Sequence, residues 1–183
     1  MAEEIWPDWS DGPPTRFHSA VDTDPETGIL HDETLSLRWE DPHLISTLPK
    51  KNPRLPSNKY STQWSGVYRI FVPNTPVDRC CGKDWTGTLY IGKAGTGKMS
   101  WSILRTRIRD IVEGKHHAIR GWNSSNIFRQ KYPWEALAIE WAYTTVRTNY
   151  KGDIIQAAGL AETWLLRSYN DSFGEIPPLN QRS

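Results

Sequence analysis

Sulfur and continuous apolar sequence are both scarce in this chain of 183 residues. Its two cysteines are adjacent, Cys80 and Cys81. Neighbouring thiols cannot build a disulfide framework or supply four zinc ligands, so stapled and zinc-nucleated small domains are excluded. The simpler reading is two thiols in an insertion loop. No long hydrophobic run occurs and the mean hydropathy is −0.63, which predicts no transmembrane helix. The opening residues, Met1 to Trp9, are acidic and lack the basic-then-apolar order of a secretory leader, so a cytoplasmic location is expected. No internal repeat is present.

Net charge is small as well, +1, but the two signs are segregated. Residues 1–41 hold eleven Asp and Glu against Arg16 and Arg38, whereas residues 42–183 hold twenty basic against ten acidic residues. A basic body is what binding to phosphates requires. The acidic N-terminal stretch is placed to compete with a polyanion for that face.

Composition divides the chain into an acidic, Pro-rich N-terminal arm, residues 1–60, and a domain over 61–183. The arm is rich in Pro, Asp, Ser and Thr, with Trp6, Trp9 and Trp39 spaced through it, so part of it is expected to dock. Leu44–Leu48 reads as a short helix, and Pro49 to Ser57 as a linker.

From Gly66 the pattern sharpens. Gly66–Val72 alternates and is rich in β-formers, giving a strand stopped by Pro73. Residues 73–87, with two prolines, two glycines and both cysteines, read as a loop before a second strand, Thr88–Lys93. Ser100 is placed to cap a helix ending at Glu113, with Gly114 beyond it. Residues 115–133 read as basic and irregular, Leu137–Thr144 as a strand and Asp153–Tyr169 as a helix. The expected fold is a small α/β (α+β) domain, β-β-α-β-α, with a three-stranded antiparallel sheet flanked by helices and preceded by an extended arm.

Helical wheels locate two inward charges. In the first helix Trp101, Leu104, Ile108, Ile111 and Val112 form the apolar arc, Arg107 falls between Ile103 and Ile111, and Arg105 and Arg109 face solvent. In the second, Ala158, Ala161, Leu165, Leu166 and Tyr169 are buried, and Glu162 lies inside their arc. An inward guanidinium and an inward carboxylate need partners. They either neutralise each other, or Glu162 holds a divalent cation while Arg107 clamps a phosphate by its bidentate fork. Phosphodiester hydrolysis needs an activated water and neutralised phosphoryl oxygens, and one carboxylate on Mg²⁺ leaves most coordination sites to water and phosphate. Ionising a tyrosine, whose usual pKa is ~10, needs a neighbouring cation, for which Lys93 is the candidate.

Gly66-Val67-Tyr68, Tyr90-Ile91-Gly92, Arg107, Glu162 and Asn180, in that order, resemble the GIY-YIG nuclease superfamily over residues 64–181, with GVY in place of the first tripeptide. Leu104, Arg107 and Ile108 match the spacing of the family's arginine, with Arg105 and Arg109 as alternatives. The resemblance implies Tyr68 as base or water-orienting phenol, Tyr90 as phosphate contact, and Asn180, in Pro177-Pro178-Leu179-Asn180, as a tether for the C-terminus. Restriction-type relatives use a histidine near the first helix, which makes His117 a further catalytic candidate. The family implies Mg²⁺ or Mn²⁺ on Glu162 and double-stranded DNA as substrate, contacted by Arg105, Arg109, Lys98, Lys115 and Arg120. No separate recognition domain follows the core, which is similar to restriction enzymes acting as homodimers. A toxin or repair nuclease, or a binding module that does not cut, remains the alternative.

One motif competes. Gly92-Lys-Ala-Gly-Thr-Gly97-Lys98 lies between a strand and a helix like a phosphate loop, but Met99 stands where Mg²⁺ binding wants Ser or Thr, and the repeated βα units of an NTPase are missing. An ATPase is therefore disfavoured. Gly95 and Gly97 are still placed to let backbone approach a phosphate.

Overall fold

Alternating β-formers and two amphipathic helices produce the architecture seen in the computed structural model. It describes residue 9 and residues 12–23, 30–49, 65–95, 104–144, 147–148, 154–155 and 157–180. In chain order the strands begin with β1 (Arg16–Thr23), β2 (Leu30–Ser36) and β3 (His43–Leu44), after which Ile45–Thr47 forms a single 3₁₀ turn. Then follow β4 (Gly66–Phe71), β5 (Val77–Arg79), β6 (Gly82–Asp84) and β7 (Thr88–Ala94). Three helices come next, α1 (Leu104–Val112), α2 (His117–Ser124) and α3 (Asn126–Lys131). A 3₁₀ turn at Trp134–Ala136 leads into β8 (Ala138–Tyr143), the short pair β9 (Arg147–Thr148) and β10 (Ile154–Ile155), and α4 (Ala157–Phe173). No helix among the described residues is long and apolar enough to cross a membrane.

The central sheet is antiparallel with strand order β3-β8-β4-β7. The α+β class is as expected, but the sheet has four strands rather than three. The extra strand is two residues from the arm: His43 and Leu44 pair with Ile139 and Ala138 along the edge of β8. Elsewhere the arm forms the β1–β2 hairpin, and Trp9 docks fully buried, its ring edge-on to Tyr169 and its Nε1 donating to Ser168 Oγ at 2.8 Å. Trp6 and the linker residues 50–57 lie outside the described residues.

Three further expectations change. Residues 115–133 are not irregular. Ala118, Ile119 and Trp122 repeat at helical spacing and are buried, so α2 forms, and Ser125 caps α3 by accepting from Phe128 N–H. The segment 73–87 contains the β5–β6 hairpin, whose two-residue turn is Cys80–Cys81. The last helix starts at Ala157 rather than Asp153, because Ile154 and Ile155 belong to β10.

The sheet separates two cores. Tyr68, Ile70, Tyr90, Ile139 and Trp141 point to one side, against Leu104, Ile108 and Ile111 of α1 and Ile119 and Trp122 of α2. Val67, Ile91 and Ala142 point to the other, against Ala161, Leu165 and Tyr169 of α4. The period-2 alternation of β4 generates both faces from consecutive residues.

Candidate active site

Tyr68 on β4 and Tyr90 on β7 share a sheet face because the register pairs Tyr68 with Gly92 and Ile70 with Tyr90. Gly92 makes room for both rings. A Cβ there would stand 2.6 Å from Tyr90 Cε1 and 2.8 Å from Tyr68 Cζ and Oη. The last letter of the second tripeptide is thus fixed by the two phenols leaning over it, with ring centroids 6.0 Å apart. Gly66 is equally constrained: its Cβ would fall 2.5 Å from Ala142 O and 3.1 Å from Leu104 Cδ2, where β8 and α1 close on β4.

Each phenol is held by one imidazole. Tyr68 Oη lies 2.9 Å from His116 Nε2, and Tyr90 Oη lies 2.9 Å from His117 Nε2. The two imidazole centroids are 4.2 Å apart. His117, the expected candidate, is exposed and bonded to Tyr90. His116, not singled out from the sequence, is 3% exposed and bonded to Tyr68. The signal for it was present: His116 immediately precedes the Ala118-Ile119-Trp122 pattern of α2, and its Nδ1 accepts from Ala118 N–H at 3.2 Å as the helix cap.

Burial dominates the electrostatics. It raises the Tyr68 phenol well above its usual value, with Tyr90 adding to the effect and Arg107 opposing it. Tyr90 is pushed up to about 12, first by burial and then by the Glu162 charge, again with Arg107 opposing. His116 is pushed down to about 3 by burial, then by His117 and Arg107, and His117 is lowered by burial and then by Arg107. At neutral pH the quartet is therefore two phenols and two neutral imidazoles.

Arg107 is the cation that reaches all four rings. Lys93, expected in that role, makes an ion pair with Glu162 instead, Nζ to Oε2 at 2.8 Å. The two inward charges of the helices do not neutralise each other: no Arg107–Glu162 ion pair occurs among the described residues. Arg107 Nε is buried without a hydrogen bond among them. Orphaned guanidinium nitrogens are costly unless a partner arrives. Glu162 is 17% exposed and its Lys93 partner 37%, so the carboxylate is reachable from solvent.

Asn180 mimics a neighbouring strand. Its Oδ1 accepts from Ile91 N–H at 2.9 Å and its Nδ2 donates to Ile91 O at 2.7 Å, while Leu179 N–H donates to Leu89 O at 2.9 Å. The C-terminal segment thereby covers the free edge of β7 beside Tyr90 and Gly92. Arg105, Arg109, Lys115 and Arg120 are exposed, and Lys115 pairs with Glu113 at 2.6 Å. Arg120 also lowers both imidazoles, which places its charge near the quartet. Lys98, Gly97, Ser100, Trp101 and Ile103 lie outside the described residues.

The donor set fits one kind of cation. Among the described residues no three His, Cys, Asp or Glu side chains converge as metal ligands. A lone, reachable carboxylate suits an ion that keeps most of its shell as water and phosphate oxygens, as Mg²⁺ does. No protein-family model matches the chain, and no curated protein or solved structure matches it.

Proposed function

We propose that the chain is a metal-dependent endonuclease of GIY-YIG type that hydrolyses phosphodiester bonds of double-stranded DNA. The observation that carries this reading is that the charges of Arg107 and Glu162 both act on Tyr68, Tyr90 and His117, while Arg107 Nε is buried without a hydrogen bond among the described residues. A phosphate oxygen supplies the acceptor that Nε lacks, and the guanidinium fork matches a second oxygen beside it. Glu162 would hold Mg²⁺ or Mn²⁺, which would neutralise developing charge on the phosphoryl group. Lys93 is then released from Glu162 to a DNA phosphate. Tyr68 and Tyr90 orient the attacking water and the phosphate as hydrogen-bonding phenols, and Asn180 keeps β7 in place beneath them.

Arg105, Arg109, Lys115 and Arg120 form the exposed basic set for the duplex backbone, and Lys98, outside the described residues, is a further candidate contact. A restriction-type enzyme, dimeric in order to cut both strands and located in the cytoplasm, is the biology proposed for this activity. The test is plasmid digestion with Mg²⁺ or Mn²⁺, with and without EDTA. Discrete, EDTA-sensitive products are expected, and Glu162→Ala should abolish them. DNA retention without nicking in either metal would instead favour a module that binds and does not cut. The Lys93–Glu162 ion pair, which already neutralises the carboxylate, is the observation on that side.

A further inference from the structure

The direction of the His116–Tyr68 hydrogen bond can be read from the helix cap. His116 is neutral, so one ring nitrogen carries hydrogen and the other accepts. Nδ1 faces Ala118 N–H, which can only donate, at 3.2 Å. Nδ1 is thus the acceptor, the hydrogen resides on Nε2, and Nε2 donates to Tyr68 Oη across 2.9 Å. We infer that His116 is a positioning residue which, locked by its own helix cap, fixes Tyr68 as an acceptor and frees the phenol's hydrogen for a substrate oxygen or water. The inference rests on the nuclease reading for its purpose, but the hydrogen bond itself does not.

The arrangement solves a difficulty of the site. Tyr68 is 1% exposed, and a buried phenol whose hydrogen is spent on a histidine has only lone pairs to offer. With the bond reversed, the hydroxyl keeps its hydrogen on the side away from α2. Oη lies over Gly92, and besides His116 the groups that act on it are Tyr90 of β7, through both charge and hydrogen bonding, Arg107 of α1 and Glu162 of α4. Burial and the cations around His116 keep it neutral throughout the range in which the protein is expected to work, so the polarity does not reverse on mild acidification. Among the described residues His117 has no such cap, and none of them fixes the direction of its bond to Tyr90 in the same way.

Two substitutions separate the two halves of His116. Asn at this position keeps the cap, its Oδ1 standing where Nδ1 stands, and loses the reach to Tyr68. Gln reaches Tyr68 with an amide N–H and loses the cap geometry. Plasmid cleavage should fall about 10-fold to 100-fold in His116→Asn, the loss usual for a missing outer-shell partner, and stay within about threefold of the unaltered chain in His116→Gln. The urea midpoint should move the other way, held by Asn and lowered by Gln. Cleavage that follows the midpoint, or that drops alike in both, would reduce His116 to a structural cap and overturn the inference. Long-range ¹H–¹⁵N correlation on histidine-labelled protein at neutral pH gives a reading independent of cleavage. The Nε2–H tautomer is expected for His116, and the Nδ1–H tautomer would overturn the inference even in an active nuclease. If the unaltered chain cuts nothing, the nuclease reading fails while the tautomer still decides this hydrogen bond.

Discussion

The two faces of the sheet carry polar clusters of opposite character. On the α4 side Arg69 of β4 sits opposite Glu140 of β8, its Nε 2.5 Å from Oε1, and its Nη1 donates to Thr88 Oγ1 at 2.9 Å and Thr86 O at 3.3 Å. Beside it Asp84 accepts from Thr86 N–H, Thr88 N–H and Tyr169 O–H, the last at 2.7 Å, and Tyr169 Oη in turn accepts from Arg79 Nε at 2.9 Å. Donors and acceptors there pair with one another. On the α1–α2 side the phenols and imidazoles pair off, but Arg107 Nε has no hydrogen bond among the described residues, and Glu162 of α4, whose charge acts on Tyr90, is met by a half-open lysine. A closed network specifies structure, and an open one keeps a place for a ligand. The number of buried charges on a face does not separate the two cases; the unmet valences do.

Breaking the closed face should cost the most stability. Burial pulls Arg69 down and Glu140 up, in each case more than their mutual attraction resists, so the pair contributes little net stability as a unit. Removing one partner is another matter. Arg69→Met strands Glu140 in the core and should cost about 3–5 kcal/mol, read by urea unfolding. The double change Arg69→Met with Glu140→Met should recover most of that loss. A single variant as stable as the unaltered chain would remove the contrast between the faces.

The open cluster should respond in activity instead. Arg107→Met and Glu162→Gln are each expected to lower Mg²⁺-dependent plasmid cleavage about 10²-fold to 10³-fold, the loss typical of one charge-stabilising group. Their unfolding free energies should stay within about 0.5 kcal/mol of the unaltered protein, since neither is part of a closed network. A stability loss comparable to that of Arg69→Met would reclassify the pocket as structural. Between the extremes lies Asn180→Ala, which deletes both hydrogen bonds to Ile91 and should cost about 1–3 kcal/mol. Cleavage should fall with it, because Ile91 lies between Tyr90 and Gly92.

The same contrast explains what the sequence disclosed. β4, β7, β8 and the inward placement of Arg107 and Glu162 were legible because alternation and helical periodicity are local signals that tertiary contacts here reinforce. α2 and α3 were obscured by their polar content, with Asn, Ser and Arg over two short helices and buried apolar residues confined to α2. β3 is two residues long and exists only because β8 offers an edge. The β5–β6 hairpin hid behind prolines and cysteines, and Asp84, its best-connected residue, looked like any turn aspartate. Choosing between His116 and His117 required knowing where α2 begins, since one residue along a helix start turns a side chain by about 100°. The partner of Lys93 lies 69 positions away on α4, and no local pattern could name it.

The smallest effect is a slope. His116 is neutral in the folded protein down to about pH 3, whereas in the unfolded chain it takes a proton near pH ~6.5. Above that value neither state is protonated and the residue adds no pH dependence. Below it the unfolded state binds a proton that the native state refuses, so stability falls as pH falls, and below about 3 the contribution stops changing. Each pH unit in that window should remove about 1.4 kcal/mol on account of this one ring. Urea unfolding of the unaltered chain and of His116→Asn at pH 7.0, 5.5 and 4.5 isolates it, because carboxylate titration is common to both and cancels in the difference. The unaltered chain should lose stability more steeply, by about 1.4 kcal/mol at pH 5.5 relative to pH 7.0. Parallel curves would mean that His116 is hydrated enough to protonate in place, and the face that holds Tyr68 would be wetter and less ordered than the one that holds Arg69.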